Sequence, residues 1–500
     1  MSDSSVEIKK LMAHGAFGSV KMVAMPRNKY AVTYVHNEID SISFEAEADP
    51  GAKVFLRDVM IKNGVRSAEF PLDCGCNTFD IETISPDGQV RRNIEFKVFR
   101  ALPSPVWQKV IEHAPWKPRD SAGELVFNDR IWLFGGYVPE TVSDVWSTDN
   151  GIDWIQHKSV PSSVGVDIPV ALNFKDKIFV FDVAGILFAT KDGENWETVS
   201  DNSPFVGRRH MGGVVFQDKM WVMGGVKDKI LYNDVWSSQD GVNWTLETEH
   251  APWCKRQIHH TPLVYDNKMW LFGGGVMGSS YFPFIAYNDV WCTSDGVNWE
   301  RKTANAPWAA RIWGSTAVYK NRMWMMAGYR SEPESRHFGD VWYSTDGVEW
   351  TEFKQHASEW KRESGDVPIS VTASLWQDRH ESSVAILNDT LYLMGGMIWP
   401  LKNDVWKLKI EGLCFLTQPR FEGYADCLYE YNAFADFSKS GQKARYRLIN
   451  TPDWLKIDNI TGKLEGIPPA PYHSSVVIEA YDDFGETAKQ EYTLHIASLD

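Results

Sequence analysis

Between residues 105 and 410 short apolar runs alternate with polar turn residues, and the alternation repeats. Met211 to Phe216 reads as a strand, Gln217-Asp218 as a turn, Lys219 to Met223 as a second strand, Asp234 to Ser238 as a third and Trp244 to Thr248 as a fourth. Gly224-Gly225 ends the second strand, and Asp240-Gly241 supplies a tight turn between the third and fourth. The order returns at intervals of about 40 to 70 residues, with second strands at Ile131 to Phe134, Ile178 to Phe181, Lys219 to Met223, Lys268 to Phe272, Arg322 to Met326 and Thr390 to Met394. One all-β unit stacked six times predicts a six-bladed β-propeller.

Two copies depart from the pattern. In the second, Asp182-Val183 replaces the Gly pair and the Asp-Val-Trp triplet is missing; the sixth lacks its own Asp-Gly-x-x-Trp. The missing strand stands at the other end of the repeat. Val106-Trp107 through Pro115-Trp116 mirrors Asn243-Trp244 through Pro252-Trp253, so residues 105–111 are expected to join the last blade and close the ring.

With 500 residues and 43% apolar content, two to four domains are expected. A formal charge of -15, with 51 basic residues dispersed among 66 acidic ones, argues against a nucleic-acid partner. No run approaches 18 apolar residues, so no membrane insertion is expected. Met1 to Lys10 lacks the apolar run of an export signal, which predicts a cytoplasmic location; a removed signal would make it extracellular or cell-surface. Of the six cysteines, Cys74 and Cys76 are too close for a zinc pair, and only Cys414 with Cys427 looks bridgeable; free thiols are the plainer expectation.

Met220-Trp221-Val222-Met223-Gly224-Gly225 and its copies resemble kelch repeats over about residues 105 to 410. Ile457 to Pro468 followed by Val477 to Gly485 resembles the immunoglobulin-like domain found beside cadherin-like modules. Ala31 to Val35, Leu72 to Asn77 and Ile94 to Arg100 resemble a cadherin-like β-sandwich. The expected domains are therefore a sandwich at 1–103, a propeller at 104–410 and an immunoglobulin-like sandwich at 411–500. Calcium is one tenant considered for the Asp482-Asp483 turn, a solvated turn the other.

Function in a propeller collects at the mouth of its central channel. Counting back six residues from the end of each first strand places Ser121, Ile168, His210, His259, Trp313 and Glu381 in a ring there, and strand alternation turns their neighbours His260 and His380 away. Two histidines beside a carboxylate suit proton exchange or a shared metal, giving His210, His259 and Glu381 as candidate catalytic residues and Ser121 and Trp313 as ligand contacts. Arg119, Arg208, Arg311 and Arg379, two positions earlier, suit either blade-to-blade pairing or binding of carboxylate or phosphate groups, with Arg209 and Arg256 as alternatives. Long aromatic loops rise on one side: Gly275 to Tyr287 with Tyr281, Tyr329 to Phe338, and an insertion from Glu363 to Asp378 with Trp376. They resemble the wall of a pocket more than a flat docking surface.

The plan is similar to that of galactose oxidase, which implies copper on histidines placed like His210 and His259. Its tyrosine ligands and cross-linked cysteine have no match here, since Cys254 falls elsewhere. Six-bladed kelch propellers include a sugar epimerase, and the iron-binding loop of nitrile-specifier proteins is loosely echoed by Glu332, Glu334 and His337. The sequence requires no cofactor, while copper, iron and calcium stay open. The reading adopted is a ligand-binding propeller that holds a small molecule, glycan or peptide at its mouth. The alternative is an enzyme using the same mouth, as a metal-free acid–base isomerase, lyase or cyclase before a metal-dependent oxidase.

Overall fold

A computed structural model describes residues 6–15, 18–22, 24–25, 29–30, 33–35, 37–259, 261–354, 370–371 and 376–499. Strands are the only regular elements among them. The chain divides into two compact units: Val106–Lys354 with Leu375–Ile410, and Met1–Pro105 with Gln355–Ser374 and Glu411–Asp500.

The first unit is built from six four-stranded antiparallel sheets, each with its strands A to D in spatial order. The third sheet shows the plan, with A at Gly212–Phe216, B at Lys219–Met223, C at Val235–Ser238 and D at Thr245–Thr248. Gln108–Ile111 pairs with Lys402–Leu408 as strand D of the sixth sheet, so the closing strand is where the repeat predicted it. The second sheet is complete despite its divergent sequence. There the Asp182 carboxylate accepts hydrogen bonds from the Ala184 and Ile186 amides at 2.9 Å and from the Ser162 hydroxyl at 2.7 Å, which builds the turn that Gly-Gly builds elsewhere.

The Asp of each Asp-Val-Trp triplet ties its sheet together. Asp404 accepts from both amino nitrogens of Arg379 at 2.6 and 3.0 Å and from the Trp406 indole at 2.8 Å. The same arginine donates to the Gly395 carbonyl at 2.9 Å. Arg119 with Asp144, Arg208 with Asp234, Arg256 with Asp289 and Arg311 with Asp340 repeat the node. These arginines are buried and pair within one sheet rather than between blades. Arg311 and Arg379 spend all three of their nitrogens on the aspartate and backbone carbonyls, and Arg208 is buried with one amino nitrogen on both Asp234 oxygens, so the three serve the sheets rather than a ligand.

The Asp-Gly-x-x-Trp turn joins neighbouring sheets. Asp295 caps its own turn, accepting from the Val297 and Asn298 amides at 2.9 and 2.7 Å. Gly296, at φ +77°, lies so close under Trp221 of the preceding sheet that an added Cβ would meet the indole at 2.1 Å. Gly296→Ala should cost about 3 kcal/mol, combining the left-handed backbone with overpacking. A urea unfolding midpoint equal to that of the wild type would refute this.

In the second unit, Phe44, Phe79 and Phe96 centre one core. Gly75–Ile84 pairs with Arg91–Arg100 over ten positions, and Tyr472–Tyr481 pairs with Thr487–Ala497 over another ten. These hairpins meet where Gly75 pairs with Thr493, so the two flanks share one sheet instead of folding apart. The Asp482 carboxylate is filled by protein donors: the Ser440 hydroxyl at 2.8 Å, the Phe484 and Glu486 amides at 2.9 Å and the Ser438 hydroxyl at 2.5 Å. These donors satisfy the Asp482 carboxylate with protein hydrogen bonds alone. All six cysteines are free, including Cys414 and Cys427.

Candidate functional site

Each ring residue sits just before strand A in the left-handed region, with φ of 57° at Ser121, 48° at Ile168, 57° at His210, 66° at His259, 58° at Trp313 and 51° at Glu381. Six non-glycine residues in this region, one of them β-branched, mark a backbone turned for its side chains. The turn breaks strand alternation, so position 380 is not directed away as parity predicts. His380 instead stacks on Trp313 with centroids 4.9 Å apart. His260 lies outside the described residues.

Side chains from four sheets form one continuous chain. His210 Nδ1 lies 2.8 Å from His259 Nε2, and His259 Nε2 lies 3.6 Å from Glu381 Oε1. The other carboxyl oxygen of Glu381 is 3.5 Å from His380 Nε2, and His380 Nδ1 is 3.0 Å from His337 Nδ1. The Ser121 hydroxyl lies between the Glu381 and Asp120 carboxyls and lowers the proton affinity of each through hydrogen bonding. The centre of this chain is dry, with 1% of the His259 side chain and 6% of the Glu381 side chain exposed.

Burial sets the charge. It pushes the Glu381 carboxyl well above its ordinary range, and the nearby Asp120 and Asp167 carboxyls push the same way against the Ser121 hydrogen bond. Asp120 is itself raised to about 6, chiefly by burial, and Asp167 is raised for the same reason. The imidazoles move in the opposite direction. Burial, helped by the positive charge of Arg209, lowers His210 to about 4; burial and the neighbouring His337 lower His380 to about 3. Around neutral pH, His210 and His380 are therefore uncharged, and the Glu381 carboxyl is shifted toward its protonated form. A carboxylic acid kept neutral can donate, and a neutral imidazole can accept.

Aromatic rings wall one side. Trp313, partly exposed, stacks on Tyr329 at 5.7 Å, and Phe284 meets Tyr329 edge-on at 6.3 Å. Tyr329 and His337 belong to a hairpin of Tyr329–Arg330 and Arg336–His337; Phe284 sits beside a second, of Gly275–Val276 and Ile285–Ala286. These two loops are thus β-ribbons. Tyr281 is not part of this wall: it is 63% exposed and lies under the Lys229 ammonium at 3.7 Å. Trp376 is buried against Trp107, edge-on at 6.1 Å, which makes it a packing residue. Most of the Glu363 to Asp378 insertion lies outside the described residues.

Among the described residues, no three His, Cys, Asp or Glu side chains converge in an arrangement that could hold a metal ion. His210 and His259 spend facing nitrogens on each other. Glu334 pairs with Arg330 at 3.1 Å while His337 turns to His380, so the echo of an iron-binding loop is not assembled. Four members of the site escaped the count along the strands: His380, His337, Asp120 and Asp167. The signal available was the ionisable residue directly before a ring position, at Asp120, Asp167 and His380.

The fold and site define a β-propeller with a polar, aromatic-walled cluster where its first strands begin. The chain belongs to the DUF6242 beta propeller domain family, which matches residues 104–418. Residues 20–101 match the cadherin-like beta sandwich domain. The dynein alpha chain of the flagellar outer arm of Chlamydomonas reinhardtii is 31% identical over 119 residues, which span 22% of this chain and 2% of that protein. The solved structure of YjhT is similar over 60% of this chain and 96% of its own, at 13% identity and a TM-score of 0.44.

Proposed function

We propose that the chain is a ligand-binding propeller of kelch type, with one blade in each four-stranded sheet, carried beside a cadherin-like sandwich and an immunoglobulin-like C-terminal segment. Its ligand is an uncharged polyhydroxylated molecule of the glycan class. The observation that carries this is the partly exposed indole of Trp313, stacked on Tyr329 and His380 at the edge of the buried His210–His259–Glu381 cluster. An indole face suits the C–H face of a sugar ring, and uncharged donors and acceptors suit its hydroxyls.

Calorimetric titration with a panel of neutral mono- and disaccharides tests this. At least one sugar should bind, and Trp313→Ala should weaken it by at least about tenfold, roughly 1.4 kcal/mol. Binding by no sugar, or equal binding by the variant, would overturn the reading.

A second reading rests on the inverted proton affinities. Imidazoles of lowered proton affinity beside a carboxyl of raised proton affinity also suit acid–base catalysis of an isomerase, lyase or cyclase kind, with Glu381 as acid and His210 and His259 as bases.

A further inference from the structure

In the second unit, three strands lie side by side: Tyr472–Tyr481, Thr487–Ala497 and Glu422–Tyr424. The first two pair over ten consecutive positions, which fixes His473 directly opposite His495. Directly opposed residues share one face of a sheet. Here it is the solvent face, since Tyr492, Leu494 and Ile496 alternate into the core. His473 Nδ1 and His495 Nδ1 are 3.2 Å apart, with ring planes at 72°.

We infer that His473 and His495 form a chelating site for a divalent transition metal of the zinc, nickel or copper class. A zinc ion at its usual ~2.0–2.1 Å from both nitrogens would subtend an angle of about 100°, close to tetrahedral. No rearrangement of the backbone is needed, because the ladder already holds both rings. Two imidazoles supply half of a tetrahedral shell, and water fills the rest. Glu422, in register with His495 on the neighbouring parallel strand, is engaged by Lys97 at 3.5 Å and does not converge on the pair, so the site rests on the two imidazoles alone. Imidazole donors exclude magnesium and calcium, which take oxygen ligands.

One pleat along the same two strands, Ser475 and Thr493 line a cleft of about 790 Å³ together with Asp73, Cys74 and Glu491. A metal at the histidine pair would stand at the rim of that cleft and offer its water-filled positions to an anionic or carbonyl ligand there.

Titration of Zn²⁺ into the metal-stripped whole chain by calorimetry tests the site. One equivalent should bind, His473→Gln and His495→Gln should each weaken that binding at least tenfold, and Mg²⁺ should not compete. His113→Gln, an exposed histidine elsewhere, should leave the affinity unchanged. In wild-type protein, imidazole NMR signals of His473 and His495 should shift on zinc addition, a measurement that does not depend on the variants folding. Unchanged zinc affinity in both strand variants, or imidazole signals that stay in place, overturns the inference.

Discussion

Replacing Asp404 by Ala is expected to lower stability by about 3–5 kcal/mol, the usual consequence of leaving one partner of a buried ion pair uncompensated. The side chain of Arg379 is 1% exposed and that of Asp404 9%, so water cannot replace the lost carboxylate. The Trp406 indole loses its acceptor in the same substitution. Asp404→Asn should fall between the two, because the amide oxygen keeps one acceptor while the charge is lost. The urea midpoint of the transition reported by tryptophan fluorescence measures this, and a drop below 1 kcal/mol for Asp404→Ala would contradict the node. The pH dependence has a definite sign. Burial pushes the Asp404 carboxyl up, but the hydrogen bonds and charge of Arg379 outweigh it and hold the group below its ordinary value. A depressed carboxyl contributes its stability above the unfolded value of about 3.9 and loses it as pH falls through the folded one. Acid should therefore erase the difference between wild type and Asp404→Ala.

That node also shows what could be read from sequence and what could not. Asp-Val-Trp and Asp-Gly-x-x-Trp recur because five of the sheets need an anion for a buried arginine, and the turn glycines lie against a large side chain of the neighbouring sheet, an indole at Gly193, Gly296 and Gly347. Those demands are local, so they leave a period along the chain, and the strands and the closing segment at Gln108–Ile111 followed from it. The site imposes no period. Ser121, His210, His259, Trp313 and Glu381 were placed by counting from the strands, and the structure brings them together. The count relied on strand alternation, which stops at a left-handed residue, so His380 was directed away when it belongs to the cluster. His337 arrives from a hairpin whose reach over the cluster no count along strand A encodes. The arginines misled for the opposite reason: a buried and an exposed guanidinium look alike in sequence, and only the position of the aspartate across the sheet separates them.

Glu381→Gln is expected to separate binding from catalysis at the channel cluster. Glutamine keeps the size and mimics the uncharged form that burial beside Asp120 and Asp167 favours at Glu381. A binding site should tolerate it, with sugar affinity within about threefold, whereas Glu381→Ala, which removes the group facing both His259 and His380, should abolish binding. If the cluster is an acid–base centre, Glu381→Gln should instead reduce turnover by about 10²–10⁴, because an amide cannot give up the proton. Stability against pH supplies a test that needs no ligand. A carboxyl raised above its unfolded value of about 4.3 contributes stability that is complete below that value and is lost as pH rises toward the folded one. Over that window the unfolded chain releases a proton that the folded protein keeps, so wild-type stability should fall by up to about 1.4 kcal/mol per pH unit relative to Glu381→Gln. His210 and His380 act in the other direction, since their lowered values make the folded protein lose stability as pH falls below about 6.5. They are common to both proteins, so the wild-type minus Glu381→Gln difference isolates the carboxyl. A difference that stays flat from pH 4 to 8 would show that Glu381 is ionised in the folded protein, and the neutral cluster on which both readings rest would fail.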